Sequence, residues 1–298
     1  MKICGKDIKI QGQLVRIARP ELEKYECLGD PEAVIDGLRK SGTRIDLFTF
    51  MQLMPELSPK YSYPVEWDNL AVLPVSTFEH WWNHQIRGYP RNRARQAAKK
   101  KVTIREAVFD DVLVQGMCDV YNESPVRQGR PNAHYGKDIQ TVRKEAATFL
   151  DRSIFIGAFL DEKLIGFVKL VTDENRTQAN LMNIVSMIKH RDKAPTNALI
   201  AQSVRSCAER GIRYLVYQNF TYGNKKPDSL TSFKESNGFQ RVDLPRYYIP
   251  LTPIGRTALR LRLHHRLFDR LPEPVAAKLR ELRSAWYNRK LRCEIEAS

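Results

Sequence analysis

Two histidines four residues apart, His80 and His84, are the clearest pair of potential metal ligands in the sequence. A zinc site needs three or four nitrogen, sulfur or oxygen ligands at suitable spacing. No glutamate or other third ligand stands at such a spacing, so we expect a structural role for both histidines and no metal cofactor. The five cysteines are scattered, which predicts neither a zinc site nor a disulfide framework and favours a reducing compartment.

No serine, histidine and aspartate, and no cysteine and histidine, stand in a pattern that singles out a covalent nucleophile. The strongest compositional signal is instead the formal net charge of +15 over 298 residues. Such an excess predicts attraction to polyanions, namely nucleic acid, anionic lipid headgroups or phosphorylated small molecules. A basic surface without a partner is the alternative interpretation.

The cations are densest between residues 87 and 105, where eight occur before the first acid, Glu106. They are Arg87, Arg91, Arg93, Arg95, Lys99, Lys100, Lys101 and Arg105. A helix from about residue 91 to 100 would place Arg91 and Arg95 along one side. Like charges at that spacing cost a few tenths of a kcal/mol each, which suggests an anionic partner or a well-solvated face.

Several elements must position any site in the second half of the chain. The apolar runs 154–160 and 164–171 flank a short polar break and predict an antiparallel hairpin. A strand at 102–107, helices at 110–122 and 139–150, and a polar loop at 127–137 precede the hairpin. A third apolar run at 180–188, a helix at 196–210, a strand at 214–217, a short helix at 229–235 and a last strand follow it.

This order, from Val102 to Leu251, resembles the GNAT acyltransferase fold, and within that superfamily it is similar to the Fem-like branch of cell-envelope and polysaccharide biosynthesis. Three stretches carry the resemblance: the arginine-rich helix 91–102, the helix and loop 121–135, and the segment 229–239 with its Phe-Lys-x-x-x-Gly-Phe ending. The order of all three carries more weight than any one of them. They cover about half of the chain.

The sequence departs from the acetyl-CoA pattern just before the helix at 196. Acetyl-CoA enzymes of this fold usually have a glycine-rich loop there, whose amides and helix N-terminus hold a pyrophosphate. The corresponding stretch 190–197 has no glycine, so its backbone is less able to approach a phosphate. We expect Thr196 to cap the helix and Arg191 and Lys193 to supply charge. The resemblance then implies aminoacyl-tRNA, with acyl-CoA as the alternative donor.

Acyl transfer to an amine needs a proton acceptor and a group that stabilises the oxyanion. From the resemblance, the predicted catalytic residues are Lys234, His190 and Asn219. The predicted substrate-binding residues are Arg91, Arg93, Arg95, Arg127, His134, Tyr135 and Tyr217, and the predicted donor-binding residues are Arg191, Lys193, Thr196 and Asn197. A surface role for each histidine and a structural role for Tyr217 and Asn219 stay open. Lys234 is expected to be exposed at the mouth of the cleft, where its removal would hardly change stability.

Two leucine-rich segments with many arginines and lysines make up residues 253–298. Leu259, Leu263, Leu267 and Leu271 form one apolar stripe, and Val275, Leu279, Leu282 and Trp286 form another. A basic amphipathic helical hairpin either docks on the protein through its leucines or lies on an anionic membrane. Docking is the preferred interpretation.

Together these patterns predict an α+β fold with a mixed, mostly antiparallel sheet flanked by helices. Residues 1–85 would form a small mixed part or a truncated GNAT-like half, 86–252 the acyltransferase domain, and 253–298 the basic tail. The predicted function is acyl or aminoacyl transfer to an amino group of a cell-envelope or polysaccharide precursor. The alternatives are a CoA-dependent N-acetyltransferase and an inactive module that binds RNA or anionic lipid.

The expected partners are a small-molecule or lipid-linked glycan substrate, tRNA, and an anionic membrane contacted by the C-terminal helices. The residues 1–7 contain no apolar run of signal-peptide length, so the expected location is the cytoplasm, including the inner face of the membrane.

The arginine-rich helix provides a first test. Reversal of Arg91, Arg93 and Arg95 to glutamate should weaken binding to RNA or anionic vesicles far more at about 50 mM than at about 200 mM salt, because phosphate contacts release counterions. Filter binding and vesicle co-sedimentation at both salt concentrations measure this. Equal binding by wild type and variant at low salt would show that the helix is only a solvated surface.

Overall fold

A computed structural model describes residues 1–127, 130–222 and 228–265, together with single residues and short runs between 275 and 287. The chain divides into two compact units. The described residues of the first unit are 1–70, 219–222 and 241–265, and those of the second include 71–127, 130–218 and 228–240. The functional boundaries at residues 85 and 252 stay predictions.

The helices are α1 Pro31–Lys40, α2 Phe78–His80, α3 Gly88–Lys99, α4 Asp111–Asn122, α5 Ile139–Ala146, α6 Pro195–Glu209, α7 Ser229–Ser236 and α8 Pro253–Arg260. A π-helical turn, Trp81–Gln85, follows α2, and 3-10 turns span Leu150–Arg152 and Ile188–Lys193. The strands are β1 Lys2–Ile3, β2 Lys6–Gln11, β3 Ile17–Pro20, β4 Leu47–Met51, β5 Val65–Pro74, β6 Thr103–Glu106, β7 Val126–Arg127, β8 Arg130–Pro131, β9 Ser153–Leu160, β10 Lys163–Thr172, β11 Gln178–Ser186, β12 Tyr214–Asn219 and β13 Gln240–Pro250.

In the first unit the strands pair in the order β1-β2-β3-β4-β13. The pairing of β3 with β4 is parallel and the others are antiparallel. Helix α1 begins at Pro31, because Asp30 accepts a hydrogen bond from the Ala33 N–H at 3.1 Å and proline suits the first helical position. The helix buries Val34, Ile35 and Leu38 in a core that also contains Phe48, Phe50 and Tyr247.

Helix α8 is attached to the first unit through the buried carboxylate of Asp46. One oxygen accepts the Thr252 hydroxyl at 2.9 Å, and the other accepts the Arg16 N–H at 2.9 Å and an Arg44 N–H at 3.2 Å. Burial raises the pKa of Asp46, but these hydrogen bonds outweigh burial and hold the pKa below its ordinary value. The N–H of Leu251 also donates to the Asp46 carbonyl, so the side chain and the backbone of Asp46 both fix the start of α8.

In the second unit the strands pair in the order β12-β11-β10-β9-β6. The predicted hairpin is confirmed, since β9 and β10 pair antiparallel from Lys163 opposite Leu160 to Val171 opposite Ser153. The predicted helix at 196–210 is α6, which contacts β9, β10 and β11 and buries Ile200, Val204 and Cys207. The fold class is therefore confirmed as α+β, with mostly antiparallel strands and flanking helices.

One predicted helix is shorter than expected. The helix expected at 139–150 ends at Ala146, and the chain then turns at Phe149, which takes a left-handed conformation with φ of 55°.

The basic tail is only partly described. Leu267 and Leu271 of the first stripe lie outside the described residues. The described members of the second stripe are exposed, with fractions of 44 to 60% for Val275, Leu279, Leu282 and Trp286. None of the described helices combines the length and the apolar character needed to cross a bilayer.

The close approach of α8 to the Asp46 backbone predicts that a methyl group at Gly255 destabilises the protein. A Cβ at Gly255 would lie 1.9 Å from the Asp46 carbonyl oxygen, which is backbone and cannot turn away. Gly255→Ala should therefore lower the free energy of unfolding by about 1–3 kcal/mol in urea melts. The matched control is Gly88→Ala in the first turn of α3, where nothing lies within 4 Å of the added Cβ. Equal stability of both variants would contradict the proposed contact.

Candidate functional site

The parallel strands β11 and β12 separate soon after they meet. They pair at Gln178 and Tyr214, Ala179 and Leu215, and Asn180 and Val216, and no further pair of the two is found in the described part of the chain. Beyond this point β11 stays paired with β10 as far as Ser186. The residues 178–181 are buried and 182–186 are partly exposed, so this end of β11 becomes accessible where its pairing with β12 stops.

Tyr217 of β12 and Lys234 of α7 come together beside this end of β12. The Lys234 Nζ lies 4.8 Å from the centroid of the Tyr217 ring, a cation–π arrangement, and the Phe239 ring centroid is 5.8 Å from the same ring. Helix α7 ends at Ser236, and Gly238 follows it in the left-handed conformation, with φ of +90°, that commonly ends a helix.

The expected exposure of Lys234 is wrong. Its side chain is 0% exposed, whereas the sequence predicts a polar group at the mouth of the cleft. The long aliphatic stem packs inside the unit, and the ammonium lies against the face of Tyr217 instead of reaching water. The expectation that its removal leaves stability unchanged rested on that exposure and therefore loses its reason, and the catalytic role of Lys234 stays a prediction.

The loop from Met187 to Ala194, which leads into α6, is held by a carboxylate from α4. Glu123 accepts the backbone N–H groups of Ile188 and Lys189, each at 2.9 Å, and its side chain is only 10% exposed. Arg127 lies beside it, 3.4 Å from a Glu123 oxygen, and donates to the carbonyl of Ser186 at 2.8 Å. These contacts fix both the end of β11 and the turn after it.

Thr196 does not cap α6. The N-cap is Ala194 in a left-handed conformation, with φ of 55° and without a side-chain hydrogen bond. The Thr196 hydroxyl instead lies 2.7 Å from the Ser186 hydroxyl, so it links the helix start to the end of β11. The sequence missed this because Pro195 moves the start of the helix one residue earlier than expected. Asn197, predicted to bind the donor, lies partly exposed in the same turn.

The arginine-rich helix α3 is bound to the same loop. Arg93 donates to the Arg191 carbonyl at 2.8 Å, Gln96 donates to the Asp192 carbonyl at 3.2 Å, and Lys100 lies 2.9 Å from the Asp192 carboxylate. The Arg191 side chain itself is exposed. Lys193 is predicted to bind the donor, but its ammonium lies 3.5 Å from the Asp192 carboxylate, so its charge is partly neutralised.

Arg91 and Arg95 have different surroundings. Arg91 donates to the Ile86 carbonyl at 3.0 Å, which closes the π-helical turn, whereas Arg95 lies over the Trp82 ring at 5.5 Å beside a cavity of about 380 Å³. Reversal of Arg91 and Arg93 therefore also breaks backbone contacts. In the polyanion test, the exposed Lys99 and Lys101 are the cleaner positions for reversal.

His190, predicted to be catalytic, and His134, predicted to bind substrate, are both partly buried. Burial, with the charges of Lys193 and Lys189, lowers the pKa of His190. Burial, with the charge of Lys137, lowers the pKa of His134, whose ring stacks on Tyr121 at 4.2 Å. A lowered pKa favours the neutral form of each imidazole.

Two further predicted residues, Tyr135 and Asn219, have other surroundings. Tyr135 is exposed in the polar loop before α5. Asn219, the last residue of β12, belongs to the first unit, where its side-chain oxygen accepts a hydrogen bond from Lys24 at 3.0 Å. The structure thus groups Arg127, Thr196 and His190 around the loop before α6 but does not add Asn219 or Tyr135 to them.

Sequence reasoning missed Lys169, which is fully buried in β10. Its ammonium donates to the Ala146 carbonyl at 2.8 Å and to the Thr148 carbonyl, which lets it end α5. Burial lowers the pKa of Lys169 to about 8. Its position in a continuous apolar run, Val168 to Val171, is the signal that could have identified a buried amine.

Comparisons with known proteins give structural matches and no sequence matches. No protein-family model and no curated protein matches the sequence. FemX superposes with a TM-score of 0.58, 10% identity, and coverage of 86% of each chain. The fold is GNAT-like. The C-terminal domain of a protein assigned as a lysylphosphatidylglycerol synthetase from Agrobacterium fabrum has a TM-score of 0.56 at 14% identity, covering 86% of this chain and 84% of its own.

A third match is L-PGS from Bacillus licheniformis, with a TM-score of 0.55, 13% identity and coverage of 85% of this chain and 84% of that one. The predicted resemblance to a GNAT-like fold close to the Fem-like branch is thereby confirmed at the level of the fold. The roles of the predicted site residues stay predictions.

The two hydrogen bonds accepted by Glu123 predict that Glu123→Gln destabilises the loop. In Glu123→Gln one oxygen becomes an NH₂ group, so the N–H of either Ile188 or Lys189 loses its acceptor. We expect a loss of about 1–3 kcal/mol in the free energy of unfolding and faster hydrogen exchange at these two amides. Asp119→Asn, on the exposed side of the same helix, is the control. Indistinguishable exchange in the two variants would contradict the capping role.

Proposed function

We propose that the protein is an aminoacyltransferase, or a closely related acyltransferase, that acts on an amino group of a cell-envelope or polysaccharide precursor. The observation that favours this donor is the contact between the Glu123 carboxylate and the loop before α6. The carboxylate accepts the N–H groups of Ile188 and Lys189, which belong to the loop where a CoA-dependent enzyme of this fold binds a pyrophosphate.

A carboxylate in this place works against CoA in two ways. It takes up two of the loop's amide donors, and its negative charge repels a pyrophosphate brought close to it. The loop also lacks the glycine that would let its backbone approach a phosphate. The left-handed position before α6 is occupied by Ala194 instead. Both features support a donor whose acyl group enters the cleft without a pyrophosphate on this loop.

Aminoacyl-tRNA meets that requirement. Its acyl group is an ester on the terminal ribose, and its phosphates are spread over a large surface. A net charge of +15 and the exposed cations Arg95, Lys99 and Lys101 on and after α3 suit such a polyanion. The names of the similar structures, FemX and lysylphosphatidylglycerol synthetase, agree with an aminoacyl donor and an envelope acceptor.

The reaction follows from these groups. The acceptor amine attacks the ester carbonyl carbon, the bond from that carbon to the ribose oxygen breaks, and an amide forms. The amine proton passes to a neutral base, for which His190 is available, and then to the ribose oxygen. In this proposal the Lys234 ammonium, held against Tyr217, provides positive potential for the oxyanion.

A thermal-shift panel of charged tRNA, uncharged tRNA, acetyl-CoA and a longer acyl-CoA tests the donor. Charged tRNA should stabilise the protein by about 2.7 kcal/mol at a hundredfold excess over its Kd. Stabilisation by acetyl-CoA and not by tRNA would overturn the proposed donor. Stabilisation by both tRNAs without transfer to any amine would favour an RNA-binding module without activity.

The role of Lys234 is tested by replacing its charge while its volume is kept. Lys234→Met should stay folded, with a change in unfolding free energy of less than about 1.5 kcal/mol, because an unbranched side chain of similar size fills the same space. Its kcat/KM for transfer should fall at least about tenfold, which corresponds to about 1.4 kcal/mol of transition-state stabilisation. Full activity in a folded Lys234→Met protein would remove Lys234 from the site.

A further inference from the structure

Three side chains with metal-binding atoms converge in the first unit. They are Glu66 of β5 and the adjacent His264 and His265, which follow α8. One nitrogen or oxygen atom from each lies within 4.8 Å of those from the other two. The two histidines are 198 and 199 residues from the glutamate in the chain, so no sequence spacing could have indicated the group.

The distances fit the edges of a metal coordination shell. The Glu66 Oε1 is 2.8 Å from the His264 Nε2 and 3.2 Å from the His265 Nε2. Zinc binds nitrogen and carboxylate oxygen at about 2.0–2.2 Å, which places neighbouring ligand atoms of a tetrahedron about 3.3 Å apart. Small movements of the three side chains would therefore admit an ion between them.

The end of α8 holds the two histidines in place. Arg262 adopts a left-handed conformation, with φ of 55°, and its N–H donates to the Leu259 carbonyl. The N–H of Leu263 donates to the Ala258 carbonyl at 2.7 Å. This pair of hydrogen bonds is a Schellman motif, which ends the helix and turns the following residues back. His264 is then 1% exposed, and its ring lies 4.6 Å from the Tyr248 ring.

Two of the three side chains, His264 and His265, line a cavity of about 830 Å³ within the first unit. Charged residues of both signs line it as well, among them Lys24, Asp68 and Arg246. An ion bound by the two histidines would therefore lie at the wall of this cavity. Sites with three protein ligands and an open position bind water or a substrate atom there.

We propose that Glu66, His264 and His265 form a binding site for a first-row divalent transition metal ion of the zinc type. Two imidazole nitrogens and one carboxylate oxygen are ligands that zinc accepts, whereas magnesium and calcium prefer oxygen ligands throughout. An open position would take a water molecule or an oxygen or nitrogen atom of a ligand.

The test is a titration of the chelator-treated full-length protein with Co²⁺, followed by visible absorption, and then displacement by Zn²⁺. We expect one ion per chain, with the intense absorption of four- or five-coordinate cobalt and loss of that absorption when zinc is added. Glu66→Gln and His265→Ala are the informative variants because both side chains are partly exposed, at 34% and 37%, and can change without loss of the fold. Each should raise the Kd for Co²⁺ at least about tenfold.

The matched control is the other histidine pair, His80 and His84, whose ring centroids are 5.2 Å apart in the second unit. The double variant His80→Ala/His84→Ala should bind cobalt as the wild type does, with unchanged circular dichroism in all variants. Wild-type protein that binds no cobalt at stoichiometric concentration would overturn the proposal. So would cobalt binding that persists in Glu66→Gln and His265→Ala but is lost in the control.

Discussion

The second unit depends on a parallel pairing that stops after three residue pairs. Antiparallel contacts with β10 hold β11 along its whole length, so β11 cannot follow β12 when the two separate. Separation leaves backbone groups of both strands without a ladder partner, and these groups must find other partners or face a ligand. The Arg127 guanidinium bound to the Ser186 carbonyl is one such partner. The partial exposure of residues 182–186 is thus a direct consequence of the sheet register.

The loop that follows β11, residues 187–194, is held by side chains from other elements. Contacts from α4 and α3 reach it from two directions: the Glu123 carboxylate binds its first amides, and Arg93 binds the Arg191 carbonyl. The loop is thus held by a carboxylate at its first amides and by a guanidinium at the Arg191 carbonyl, although the stretch 190–197 contains no glycine.

Much of the fold could be predicted because it depends on local sequence. The hairpin β9–β10 follows from two apolar runs around a polar break, and α1 follows from Asp30 and Pro31. The capping of α6 was predicted wrongly, since the partner of Thr196 is Ser186 on a neighbouring strand. The contacts of Glu123 with the loop and of Glu66 with His264 could not be predicted from local sequence. They join residues that are 65 and 198 positions apart in the chain. Burial of a polar side chain is decided by such distant contacts.

The second unit buries two lysines, Lys169 and Lys234, whose ammonium groups have different partners. Lys169 and Lys234 are both 0% exposed, and each carries a charge that is costly to bury without partners. The Lys169 ammonium is surrounded by the carbonyls of Ala146 and Thr148, which use its hydrogen bonds to terminate α5. The Lys234 ammonium lies 4.8 Å from the centroid of the Tyr217 ring, whose face stabilises a positive charge. The two lysines therefore differ in their surroundings: Lys169 lies at the end of a helix, whereas Lys234 lies beside the part of β12 where the pairing with β11 has already stopped.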